Sequence, residues 1–154
     1  MAPRATRILK VLFLCTENAC RSQMAEGLVN HDLAGQVQAF SAGVKPAQVN
    51  ARAIRVMAEL GIDISQHRSK SLDDLAEKQF DLIITVCDQA RQQCPIFPGE
   101  TEVMHIGFPD PAKATGTEEK ILTAFRRVRD TLRDELIPLL QREAQAKSIN
   151  RLCP

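Results

Sequence analysis

Tryptophan and tyrosine are absent from the 154-residue chain, and six phenylalanines are its whole aromatic complement. A site that clasps an aromatic ring between aromatic walls has little to be built from. Charge of one sign is also missing: the formal net charge is +1, so no global field gathers nucleic acid or coats a membrane, and any anion must be drawn by local groups. Long apolar runs are lacking. Val11-Leu12-Phe13-Leu14 follows a basic start, but Thr16-Glu17-Asn18 interrupts it. Nothing approaches the roughly 20 residues of a membrane span, and no small-residue cleavage pattern follows. These absences predict a cytoplasmic protein with neither a nucleic-acid nor a membrane partner.

Hydrophobic residues make up 44% and charged residues 25% of the chain, which are ordinary globular proportions, so one core is expected to fold alone as a monomer. The length suits a single domain over 1–154, with 148–154 as a flexible tail. No repeat, low-complexity stretch or linker interrupts it. Five cysteines in a chain without an export pattern point to reactive rather than structural thiols, because the cytosol keeps thiols reduced.

Aliphatic residues on both faces mark Ile8 to Leu14 as a buried parallel strand, ending at Cys15. Met24, Leu28, Val29 and Leu33 recur at helical spacing from Ser22 onward. Val37 to Ser41 reads as a second strand, closed by the turn-prone Gly43 and Pro46, and Ala51 to Leu60 as a helix stopped by Gly61. Asp81 to Val86 is the third strand and delivers Cys87, and Glu102 to Ile106 is the fourth. After Asp110-Pro111 a helix is expected from Glu118 to about Ala146, kinked or broken at Pro138. Strands alternating with helices predict an α/β fold, three-layer α/β/α around a four-stranded parallel sheet. In such sheets ligands bind beyond the carboxyl ends of the strands, where Cys15, Cys87 and Asp110 fall.

The segment Cys15-Thr16-Glu17-Asn18-Ala19-Cys20-Arg21-Ser22 puts a thiol and a guanidinium at the two ends of a short loop, directly before a helix. Backbone N–H groups at a helix start carry partial positive charge and cradle a tetrahedral oxyanion without a metal. Arg21 adds a planar pair of donors. A thiol in such a field titrates at roughly 3.5 to 7.5 instead of about 8.5, which makes Cys15 the candidate nucleophile, with Ser22 as a further donor to its sulfur. Outside this setting Cys15 would be a small hydrophobe at a strand end. Strand, spacing, serine and helix together favour chemistry.

Cys15 to Gly27, reading CTENACRSQMAEG, resembles the active-site loop of the low-molecular-weight protein tyrosine phosphatase superfamily, and within it the thioredoxin-coupled arsenate reductases. Ser41-Ala42-Gly43, Gly61-Ile62-Asp63-Ile64-Ser65, Cys87, Cys94 and Asp110-Pro111 extend the resemblance over nearly the whole chain. It implies a low-molecular-weight phosphatase-like fold, arsenate as substrate with phosphate or sulfate as mimics, and thioredoxin as reductant. Thr16 through Ser22 would form the substrate cradle and Asp110 would be the general acid.

Cys87 and Cys94 are separated by six residues of polar character, too long a gap for a zinc knuckle. A second and third thiol have a redox use: Cys87 attacks Cys15 after arsenic has bonded there, and Cys94 then takes over the oxidation. Some relatives hold potassium through residues matching Asn18, Glu26, Ser41 and an aspartate. Lys70 stands at that aspartate's place here, so no obligatory potassium and no tightly bound cofactor is expected. Glu17 replaces a small residue and adds negative charge beside the anion. Cys20 and Cys153 are expected to be spectators, and His31, His67 and His105 ordinary surface or core residues. A tyrosine phosphatase would share Cys15, Arg21 and Asp110 but lacks its ring-holding wall here, leaving weak action on aryl phosphates. A non-catalytic redox sensor would not need Asp110.

Overall fold

The computed structural model describes residues 8–77, 79–88, 92 and 101–152, with side chains up to 147. Cys94 and Cys153 therefore lie outside the described residues.

Strand β1, Leu9–Cys15, runs between two neighbours, β2 (Val37–Gly43) and β3 (Leu82–Thr85), and is buried on both faces where helices pack on the sheet. The fourth strand, β4 (Glu102–His105), pairs with β3, giving the order β2-β1-β3-β4 with every pairing parallel. This is the α/β arrangement expected from the alternation of strands and helices. As an edge strand β4 is less covered than the others, and Val103 is 49% exposed.

Helix α1, Arg21–Asp32, follows β1 across the active loop. Its residues Ser22 through Val29 are all buried, so it lacks the wet face of a surface helix. Gly27 permits this: a Cβ there would sit 2.8 Å from Ile64 Cγ2. Helix α2, Ala51–Ala58, starts where Asn50 accepts from the Arg52 N–H at 2.8 Å, and the chain turns away at Gly61 with φ +74.

Helix α3 spans Glu118–Leu152 and contains Pro138 in its interior. It is not broken there, and it continues beyond Ala146. Proline removes one backbone donor, but Leu132, Leu136 and Leu140, four residues apart, are each at most 1% exposed and hold both halves on the core.

Arg129, itself buried, donates to Val56 O and Glu59 Oε1, both at 2.8 Å, and Arg126 reaches the same carboxylate at 2.9 Å. These contacts lock α3 to the end of α2. Hydrogen bonds from Arg126 and then from Arg129, outweighing desolvation, lower the Glu59 carboxyl from 4.5 to about 2. A carboxyl depressed in the folded state stabilises above its unfolded value and ceases to do so as pH falls through the folded one. Because Glu59 is more than a third exposed, solvent screens the pair. We predict that Glu59→Gln costs about 1 kcal/mol in urea denaturation at pH 7. The difference from wild type should shrink as pH falls from about 4.5 toward 2.

Candidate active site

Beyond the carboxyl ends of β1 and β3 lies a cavity of about 430 Å3 whose walls include Cys15, Thr16, Arg21, Cys87 and Asp110. No aromatic side chain is among the described residues lining it.

Asn18 shapes the loop beneath. Its backbone is at φ +53, the left-handed region that asparagine tolerates better than most residues, at a cost of about 1–2 kcal/mol. That twist turns its N–H toward Cys15 Sγ at 3.2 Å. Fully buried, it is held from behind by Gln23 Nε2 (2.8 Å) and the Lys70 N–H (3.0 Å), both donating to Oδ1, and by Ser69 Oγ donating to its carbonyl at 2.7 Å. At about 0.5–1.5 kcal/mol net per bond, the set outweighs the backbone cost.

Asn18 Nδ2 donates to Ser22 Oγ at 2.7 Å, and that oxygen lies 2.8 Å from Cys15 Sγ. A thiolate at Cys15 can only accept, and in that state the Ser22 hydroxyl gives its proton to the sulfur. Cys15 thus faces two donors directed by one residue. Of the residues expected to form the cradle, Thr16, Glu17, Ala19, Cys20 and Arg21 line the cavity. Asn18 and Ser22 are fully buried beneath it.

Arg21 is tethered by its Nη1 to Phe108 O at 3.2 Å, and its Nη2 sits 3.7 Å from Asp110 Oδ2. The other oxygen of Asp110 accepts from Ala112 N at 3.0 Å, capping the one-turn helix Pro111–Lys113. The carboxylate is thereby fixed with one oxygen toward Arg21. Cys87 is buried at the end of β3, its Sγ 3.2 Å from Thr16 Oγ1, so a loop residue touches the second thiol. Cys20 is different: burial foremost, then the negative charge of Asp110, pushes its thiol up to about 12, and it stays protonated at neutral pH.

Behind the loop, Ser41 Oγ donates to Glu26 Oε1 at 3.0 Å, and Lys70 Nζ lies 3.6 Å from that oxygen and 3.4 Å from Ser41 Oγ. An ammonium thus occupies the midst of these oxygens. His67 has partners behind the loop, its Nδ1 lying 2.9 Å from Gln23 Oε1 and 3.1 Å from Glu26 Oε2. His105 likewise has partners near the site, whereas His31 is paired only with neighbouring Asp32. Among the described residues no cluster of three or more His, Cys, Asp or Glu side chains could hold a metal, and no helix is long and apolar enough to cross a membrane.

A sequence profile described as low molecular weight phosphotyrosine protein phosphatase matches residues 10–151. The chain belongs to that family. Similar members of the family include an arsenate reductase of Halalkalibacterium halodurans, 45% identical over 79% of this chain and 88% of the relative. A solved arsenate reductase in its phosphate-binding state matches at a TM-score of 0.65 and 28% identity, covering 88% of this chain and 98% of the other. A thioredoxin-dependent arsenate reductase of Corynebacterium glutamicum matches at 0.68 and 27% identity, over 90% of this chain and 65% of that one.

In the sequence Gly43 stands as a turn-prone residue and as part of the Ser41-Ala42-Gly43 motif, with no role at the loop assigned to it. Its position leaves no room for a side chain: a Cβ would lie 2.8 Å from Asn18 N and from Thr16 O. Both are backbone atoms, so the loop itself would have to move. Gly43→Ala should cost about 1–3 kcal/mol of stability and weaken phosphate binding at least about tenfold. Thermal denaturation and calorimetric titration with phosphate measure the two effects.

Proposed function

We propose that this protein reduces arsenate to arsenite with Cys15 as nucleophile and Cys87 as the thiol that completes the two-electron transfer. The observation that carries this is the presence of both buried thiols in the wall of one cavity above the oxyanion loop, with Thr16 spanning from the loop to Cys87. The similarity to arsenate reductases agrees with it.

Arsenate enters as a phosphate-like tetrahedron and takes the loop N–H groups and Arg21 as donors. Arg21 releases Asp110 as it turns to the anion. The Cys15 thiolate attacks arsenic, and Asp110 gives its proton to the departing oxygen, which leaves as water. Hydrolysis of that adduct would only return arsenate. Attack of Cys87 on the Cys15 sulfur instead leaves the arsenic–sulfur electron pair on arsenic, which departs as arsenite, while a Cys15–Cys87 disulfide forms. Thr16 orients Cys87 for this step. Cys94 then attacks Cys87, freeing Cys15, and a dithiol reductant of the thioredoxin class reduces the Cys87–Cys94 pair in the cytoplasm. The lack of an aromatic side chain among the described lining residues disfavours phosphotyrosine and leaves at most weak action on aryl phosphates.

Lys70 is assigned the place of a monovalent cation, its fixed charge balancing Glu26 behind the loop. Potassium is then dispensable.

NADPH oxidation coupled through thioredoxin reductase and thioredoxin should start on adding arsenate, and Cys15→Ser, Cys87→Ser and Cys94→Ser should each abolish turnover. Sustained turnover in Cys87→Ser or Cys94→Ser would rule out the relay, and success only with glutaredoxin would change the reductant alone. Replacing potassium chloride by choline chloride should leave wild-type turnover unchanged, whereas Lys70→Ala should gain potassium stimulation. Several-fold stimulation of the wild type would contradict the Lys70 assignment.

A further inference from the structure

The turn that presents Cys87 is straddled by one imidazole. His105 closes β4 and stands beside Thr85 in the parallel register of β3 and β4. Its Nδ1 lies 2.8 Å from Thr85 Oγ1, and its Nε2 lies 3.3 Å from Asp88 Oδ1. Thr85 precedes Val86-Cys87 and Asp88 follows them, so a single ring spans the two residues between. Thr85 is buried while the Asp88 side chain is 86% exposed, so one end of the span is anchored in the sheet and the other stands in water at the cavity wall. Thr85 Oγ1 also lies 3.4 Å from Met104 O, and its one proton serves either acceptor; given to the shorter contact, it lets a neutral ring accept at Nδ1 and donate from Nε2–H to the carboxylate. Backbone bonds from Ile106 N to Thr85 O (3.0 Å) and from Phe108 N to Val86 O (3.1 Å) continue the ladder alongside. Gly107 leaves space for the ring, since a Cβ there would come within 3.3 Å of His105 Nε2.

We infer that His105 is a positioning residue which, by bridging Thr85 and Asp88, holds Cys87 in line with Thr16 and the Cys15 sulfur. This rests on the proposed role of Cys87. Removal of Cys87 from its place affects the second step, sulfur attack on sulfur, and not the binding of the anion. Thr85 and Phe108, which border the turn on the sheet side, stay in place without the ring because the ladder bonds hold them. The Asp88 end is the releasable one, because its contact with the ring stands in solvent. It can open when Cys94 later approaches Cys87.

The test uses the full chain in four forms: His105→Ala, Asp88→Ala, the double variant, and Asp88→Asn, which keeps an acceptor for Nε2–H. In single-turnover mixing with arsenate, each alanine variant should slow arsenite release about three- to tenfold, with phosphate inhibition unchanged. The double variant should be no slower than either single one, and Asp88→Asn should stay near wild type. Unchanged release in both alanine variants, additive losses, or an equal loss of phosphate affinity overturns the inference. A readout free of arsenate separates it from the function reading: in a Cys15→Ser background, Cys87 alkylation by iodoacetamide, followed by peptide mass spectrometry, should speed up in both alanine variants. If wild type releases no arsenite, the reductase reading fails while alkylation still decides the clamp, and unaltered alkylation defeats it. Because Asp88 is on the surface, Asp88→Ala keeps the test valid even if His105→Ala does not fold.

Discussion

Everything at the site depends on the left-handed turn at Asn18. Its backbone conformation aims an N–H at Cys15, and its side chain aims Ser22 at the same sulfur. Gln23, Ser69 and the Lys70 backbone each spend a hydrogen bond on keeping Asn18 there. That is why polar side chains lie buried in a helix that is covered all round, an arrangement that a helix with no task beyond packing would avoid. The loop is stitched on its other side as well: Lys45 N donates to Thr16 O at 2.8 Å and Asn50 N to Ala19 O at 3.0 Å. A cradle fixed from both sides meets an anion without reorganising, which is where electrostatic stabilisation gains most.

Charge near the thiols is divided by location. Burial keeps Cys20 protonated although it lies in the same loop as Cys15, so the cavity wall presents a chemically silent thiol beside the Cys15 sulfur that the loop's donors face. Arg21 and Asp110 neutralise each other across 3.7 Å until an oxyanion claims the guanidinium. Lys70 with Glu26 forms a second compensated pair behind the loop, in the layer that supports Asn18. The cavity's wall mixes polar and apolar groups, and among the described residues it offers no aromatic side chain to stack on a substrate ring.

Much of this was legible in one dimension because the signals are local. Aliphatic runs with no polar alternation gave the buried strands β1 and β3 within a residue or two, and the thiol, arginine and serine spacing at Cys15, Arg21 and Ser22 located the loop. What escaped were contacts between residues far apart in sequence. Nothing in a helical register distinguishes Gln23, whose amide reaches Asn18 and Arg68 O, from a solvated glutamine. Nor does the sequence tell that His67 and His105 find partners 44 and 20 residues away. Pro138 misled in the opposite direction as to a break: the helix continues through it, with the leucine stripe buried on either side.

The central claim is that the electrons reducing arsenic come from the Cys15 and Cys87 sulfurs together. Cys94→Ser, mixed with one equivalent of arsenate without any reductant and acid-quenched, submits it to non-reducing peptide mapping with arsenite counted alongside. The account predicts one arsenite per chain and a Cys15–Cys87 disulfide in equal amount. Arsenite formed without that disulfide, or a disulfide joining Cys15 to Cys20 in its place, would contradict it.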